Sequence, residues 1–217
     1  MTTPTKITEC LEETLKEYKK PVTQLSKTSE KNDYITNETH MFDWDNISKE
    51  YDSIEYSSVD AIYCSLKGDK LILYFFEFKK HSLYDEYFDA KKQLSKCIEE
   101  MELDGSCSRY IEQLKDIKKG LYSKKINSLK MKPLESLILL YKILDDNGIK
   151  PEDLINIEKE YYIVSETPIP GNKSNFHRKG RSKEIFSFID IIKPYPFINV
   201  EPINKTTFVS LINNLEN

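Results

Sequence analysis

Apolar residues recur along this chain at two different periods, and the switches between them mark its elements. From Thr5 to Lys20, Ile7, Leu11, Leu15 and Tyr18 stand three or four residues apart, predicting an amphipathic helix that Pro21 ends. Gln24 to His40 is polar and reads as a loop. Met41 to Tyr56 leaves helix and strand both open, although Ile54 and Tyr56 alternate with charged residues as in a short strand. The clearest signal follows. Val59-Asp-Ala-Ile-Tyr-Cys-Ser65 and Lys70-Leu-Ile-Leu-Tyr-Phe-Phe-Glu-Phe-Lys79 are rich in β-branched and aromatic residues and flank Lys67-Gly68-Asp69-Lys70. Glycine at the first central position suits a two-residue type II′ turn, so the pattern predicts a β-hairpin.

The period then lengthens again. Leu83, Tyr87, Ala90, Leu94, Cys97 and Met101 share one helical face, and Gly105 breaks the run. A further helical stretch is expected from Tyr110 to Lys119. Pro133 reads as the start of another, with Leu134, Leu137, Ile138, Leu140, Tyr141 and Leu144 on a wide apolar face and Gly148 as its stop. Pro151-Glu-Asp opens a short helix. Tyr161-Tyr-Ile-Val-Ser165, an apolar run after a long helical crossover, predicts a buried strand in the same sheet as the hairpin. Pro168 to Lys183 reads as a loop, Phe197 to Glu201 as a second late strand and Thr206 to Leu215 as a terminal helix. The expected fold is α/β, a mixed sheet in a single domain over residues 1–217, with a helical elaboration at about 104–159.

Composition narrows the function classes. A chain of 217 residues with 12% aromatics can form a packed core. No run nears the ~18 apolar residues that span a bilayer, and the charged N-terminus lacks a signal-peptide core. A soluble cytoplasmic protein without a membrane partner is therefore expected. Cys10, Cys64, Cys97 and Cys107 form no CxxC pair and have no histidine at zinc-ligand spacing, which excludes structural zinc. The net charge of −4 requires any nucleic acid to be met by a local patch. Two exist. One is Lys115, Lys118, Lys119, Lys124, Lys125, Lys130 and Lys132 against Asp116 alone, which reads equally as an exposed helical face. The other is Lys173, Arg178, Lys179, Arg181 and Lys183, with Phe176 and His177 and no acid, in a glycine-flanked segment that suits a phosphate backbone or a solvated linker. No GxSxG, Walker-type or GxGxxG motif is present.

The hairpin carries the candidate chemistry. With Gly68 and Asp69 in the turn, Leu66 faces Leu71, Cys64 faces Leu73, Ile62 faces Phe75 and Asp60 faces Glu77. Lys79, two residues on, points to the same face as Glu77. Opposed carboxylates repel, and an apolar strand adds desolvation. A hard divalent cation resolves that conflict, because it prefers carboxylate oxygens. The sequence holds four short acid-x-Lys patterns, at Glu17–Lys19, Glu77–Lys79, Asp89–Lys91 and Asp116–Lys118. Only the second ends a strand that pairs with an Asp, the others falling in expected helices.

An Asp at one strand, then Glu-x-Lys after 16 intervening residues, then a helix and a further strand, resembles the PD-(D/E)XK nuclease superfamily of restriction-endonuclease-like proteins. The resemblance covers mainly Tyr51 to Met101, with Tyr161 to Ser165 as the crossover strand, and Val59 stands where the family pattern has Pro. It implies a restriction-endonuclease-like mixed β-sheet flanked by helices, and Mg²⁺- or Mn²⁺-dependent hydrolysis of DNA phosphodiesters. Asp60 would bridge the metal, with Glu77 as second ligand and the Phe78 carbonyl as a further one. Lys79 would orient water or stabilise charge. An acid from the first helix often joins such sites, and Glu9, Glu12 and Glu13 are the candidates. DNA is the implied partner, and a homodimer is compatible with the pattern. The same fold also serves as a catalytically inactive DNA- or protein-binding module. An α/β scaffold of unrelated topology would set Asp60 and Glu77 far apart.

Overall fold

The computed structural model describes residues 3–27, 34–51, 56–79, 83–105, 108–165 and 189–216, with backbone alone for 83–91, 119, 121–126 and 190. Its centre is a six-stranded mixed sheet in which spatial order follows chain order. The strands are β1 (Lys19–Pro21), β2 (His40–Asp43), β3 (Ala61–Lys67), β4 (Lys70–Lys79), β5 (Glu158–Ser165) and β6 (Asn199–Asn204). The first four are antiparallel neighbours, whereas β4, β5 and β6 run parallel. The expected hairpin has the expected register, with Ile62 opposite Phe75 and Leu66 opposite Leu71. Gly68 takes φ +61 at the first turn position, a conformation that only glycine adopts freely.

Alternation along β3 and β4 sorts the core into two layers. Ile62, Leu71, Leu73 and Phe75 face one side, with Tyr161 and Ile163 of β5. That side is covered by helix α1 (Pro4–Leu15), through Ile7, Leu11 and Leu15, and by helix α5 (Ser108–Asp146), through Leu137, Leu140 and Leu144. Ala61, Tyr74, Phe76 and Phe78 face the other, where Phe208 and Ile212 of the last helix pack. Each large side chain so buried contributes about 1.5–3 kcal/mol. The remaining helices are α2 (Val22–Leu25), α3 (Trp44–Glu50), α4 (Leu83–Leu103), α6 (Ile189–Ile192) and α7 (Lys205–Glu216).

The structure departs from the sequence expectations at identifiable places. Helix α1 ends at Leu15 and passes through a 3-10 turn, and Lys19–Pro21 then forms an edge strand on His40–Asp43. Pro21 is tolerated there as the last residue of an edge strand. In the ambiguous stretch, β2 and α3 form, the latter capped by the Asp43 carboxylate on the Asn46 N–H. Ile54 lies outside the described residues, and Tyr56 belongs to no strand. The short helix at Pro151 is a 3-10 turn, and the last strand begins two residues later than expected. Phe197 is instead a buried anchor that meets Phe75 edge-on. The basic segment with Lys173, Arg178, Lys179, Arg181 and Lys183 lies outside the described residues, as do His81 and Cys107. Among the described residues no helix is long and apolar enough to cross a membrane.

The largest departure concerns Pro133. The sequence reading opens a helix there, whereas α5 runs 39 residues straight through it. Proline lacks the N–H that the carbonyl of Leu129 would accept, which ordinarily breaks a helix. Here the Tyr161 hydroxyl of β5 donates to that carbonyl at 3.3 Å. Burial, and then the charges of Glu77 and Asp60, push the Tyr161 phenol well above its ordinary value, so it stays a donor. The apolar stripe of α5 can therefore continue across the sheet.

This exchange predicts a coupled pair. Tyr161→Phe orphans a buried carbonyl and should destabilise the protein by about 1–3 kcal/mol. In a Pro133→Ala background the restored N–H serves Leu129, and most of that loss should vanish. Thermal melts of the four proteins measure the coupling; equal losses in both backgrounds would dismiss the pairing.

Candidate functional site

Among the described residues four charged groups meet where β3 begins and β4 ends. The Asp60 backbone continues the hairpin ladder: its N–H donates to the Phe76 carbonyl at 3.0 Å, and its own carbonyl accepts from Trp44 at the start of α3 at 3.1 Å. That fixes its side chain on the face shared with Ile62 and Phe75, opposite Glu77. The Phe78 N–H donates to Asp60 Oδ2 at 2.5 Å. Glu77 is wholly buried, with 0% of its side chain exposed, while 26% of Asp60 remains open. Lys79 lies 2.5 Å from Glu77 Oε1. Asp60, Glu77 and Lys79 are thus brought together at the carboxyl end of the parallel strand pair, where open α/β sheets commonly bind ligands.

The fourth group is Lys132, from α5. Its ammonium donates to both Glu77 oxygens, at 2.8 and 3.0 Å, and lies 4.0 Å from Asp60 Oδ1. In the sequence reading Lys132 belongs to a basic stretch that suits either nucleic acid or an exposed helical face; in the structure it turns inward. Lys115, from the same stretch, pairs with Glu102 at 2.7 Å on α4.

Helix α5 also holds the strand that carries Asp60. The Ser57 N–H donates to Glu135 at 2.6 Å and the Val59 N–H to Ser136 Oγ at 2.9 Å. Between them, Ser58 Oγ donates to Asp45 Oδ1 at 3.0 Å. Lys132, Glu135 and Ser136 stand at i, i+3 and i+4, one helical face. The sequence carried a signal for them. Leu129, Lys132, Ser136, Leu140 and Ile143 form one stripe at helical spacing, so Lys132 and Ser136 are polar residues set into an apolar seam. Buried polar residues in such a seam need partners, and the strand supplies them.

The acids of α1 stay apart from this group. Glu12 is bound to Lys19 at 2.6 Å, and Glu9 and Glu13 are exposed. The charges acting on Asp60 are Glu77, Lys132 and Lys79.

Burial first, and then repulsion from Glu77, raise the Asp60 carboxyl to about 7, against the pull of Lys132, Lys79 and the Phe78 N–H. The donor chemistry fits a hard cation: two carboxylates, with the Phe78 carbonyl alongside them in sequence and water completing the shell. Among the described residues no cluster of three or more Asp, Glu, His or Cys side chains is positioned to hold a metal. Among the described residues an ion here would therefore have these two carboxylates as its only acidic side-chain ligands. No family model matches the chain, and no curated protein or solved structure resembles it significantly.

The raised carboxyl gives a pH signature. Between about pH 4 and 7 the folded, metal-free protein holds a proton on Asp60 that the unfolded chain has released. Stability from this group therefore falls as the pH rises through that window. Asp60→Asn keeps an acceptor for the Phe78 N–H and removes the charge, so it should gain on the wild type by a few degrees in Tm as the pH rises across that window. A constant difference at every pH would contradict the assignment.

Proposed function

We propose that the protein is a divalent-metal-dependent nuclease of restriction-endonuclease-like fold that hydrolyses DNA phosphodiester bonds. One observation carries this reading: an aspartate and a buried glutamate face each other at the end of a hairpin, with the Lys79 amine on the same face. Nothing in the packing requires two carboxylates in an apolar layer, and that expense points to chemistry. Asp60, Glu77 and the Phe78 carbonyl would hold Mg²⁺ or Mn²⁺. Such an ion lowers the pKa of water and neutralises charge building on a phosphate oxygen. Lys79 keeps one ammonium beside the reacting position, where it orients the attacking water and stabilises developing charge.

The route to DNA is supported by chain geometry. Ser165, the last residue of β5, is the register partner of Lys79. The sequence after Ser165 carries Lys173, Arg178, Lys179, Arg181 and Lys183. A basic run that follows this strand in sequence can neutralise phosphates flanking the one to be cleaved.

A second reading is the same scaffold without catalysis, a DNA- or protein-binding module. It draws on the position of Lys132, which supplies from within the chain the positive charge that the carboxylates need.

Nicking of supercoiled plasmid separates the two. The nuclease converts it to open circles with Mg²⁺ or Mn²⁺ and not with EDTA. Asp60→Asn and Lys79→Ala, shown folded by circular dichroism, should lower the rate about 100-fold or more. Wild-type rates in both variants, or no nicking by the wild type with either ion, would refute it.

A further inference from the structure

The two acids of the site already share a cation. Lys132 Nζ touches both oxygens of Glu77 and stands 4.0 Å from Asp60 Oδ1, the span that an ion bridging the pair would occupy. We infer that Lys132 is a built-in competitor of the divalent metal: its ammonium fills the cation seat between Asp60 and Glu77, and the metal binds by displacing it. The inference rests on the metal site proposed above and adds its regulation.

The arrangement is suited to exchange. Glu77 cannot leave, being fully buried on a central strand. Lys79 holds Glu77 Oε1 from the same strand two residues on, a local contact that persists whatever fills the seat. Among the described residues Lys132 alone reaches in from another element, and 20% of its side chain is open to solvent, which leaves its flexible stem a way out. The helix need not move with it, because Glu135 and Ser136 pin α5 to Ser57 and Val59, and Tyr161 pins Leu129. An ammonium and a divalent ion cannot both occupy the span between the two carboxylates, where Lys132 sits. The exchange also changes the charge of the site. With both acids ionised against Lys79 and Lys132 it is neutral; with the ion added and Lys132 displaced to the rim it becomes cationic and attracts an anionic phosphodiester.

Calorimetric titration of the full chain with MnCl₂ tests this, using wild type, Lys132→Met, Lys132→Arg and Asp60→Asn at one pH and ionic strength. Lys132→Met should bind Mn²⁺ about tenfold tighter, the factor expected for a seat filled about nine-tenths of the time. Lys132→Arg should bind more weakly than wild type, because its planar fork holds Glu77 bidentately. That variant keeps the charge and the packing, so it reads the competition if Lys132→Met does not fold. Equal affinity in wild type and both Lys132 variants, lost in Asp60→Asn, would overturn the competition and leave the metal site standing. Binding by Lys132→Met but not by wild type would uphold Lys132 as the occupant and remove the nuclease reading. No Mn²⁺ binding by any of them would remove both.

Discussion

Two carboxylates held opposite each other in the apolar layer between a sheet and its covering helices set the terms for much of this molecule. Neither Asp60 nor Glu77 can be charged there at small cost, because water is largely excluded and each repels the other. The fold answers with two ammonium groups, one from the same strand and one from a helix far along the chain. Removing either cation leaves buried negative charge short of a partner, a larger penalty than the net gain of an intact pair. The two acids are thus neutralised from within the chain, by Lys79 and Lys132.

The position of the helical cation is itself a constructed feature. Helix α5 reaches across the sheet only because its proline is accommodated. The carbonyl that Pro133 leaves without a donor is taken up by Tyr161, whose strand lies beside the one bearing Glu77. One residue before the proline sits Lys132; two and three residues after it sit Glu135 and Ser136, which close on the strand bearing Asp60. Over the eight residues from Leu129 to Ser136 the helix therefore has its backbone repaired by Tyr161, supplies a counter-ion and fixes the opposing strand. A flexible surface helix could do none of these, since each contact depends on the level at which α5 crosses the sheet. The other face contrasts with this. There Phe76 and Phe78 meet Phe208 edge-on in an aromatic layer that, among the described residues, holds no fully buried charge.

What could be read from the sequence follows the range of the interactions. The hairpin was legible because its signals are local: alternation of Ile62 and Cys64 against Leu73 and Phe75, and a glycine where a positive φ is required. Its register placed Asp60 opposite Glu77 with no tertiary knowledge. The parallel strand at Tyr161 was legible as well, from an apolar run after a crossover. The edge strand Lys19–Pro21 was not, because three half-buried residues carry no period and acquire strand form only by pairing with His40–Asp43. The continuity of α5 was hidden for a related reason: proline is a stop signal unless a distant hydroxyl replaces the missing donor. Lys132 was hardest of all, since its partner Glu77 is 55 residues away and a lysine in a basic stretch looks like solvent-facing charge. Its one local trace was its place in an otherwise apolar helical seam.

That the helical cation is a lysine rather than an arginine bears on what the site can do. A guanidinium would grip Glu77 through two fixed N–H bonds and leave only reluctantly, making neutrality permanent. An ammonium is a point charge on a four-carbon stem, strongly hydrated, and loses little by swinging into water a few ångströms away. The chain surrounds this residue with fixed groups: a pinned helix, a capped strand end and a buried glutamate. Among the described residues Lys132 is the one counter-ion that reaches the acids on a long stem from another element. A scaffold meant only to stay neutral would have no need of that asymmetry, and two aliphatic side chains in place of the acids would pack the same layer without any counter-ion.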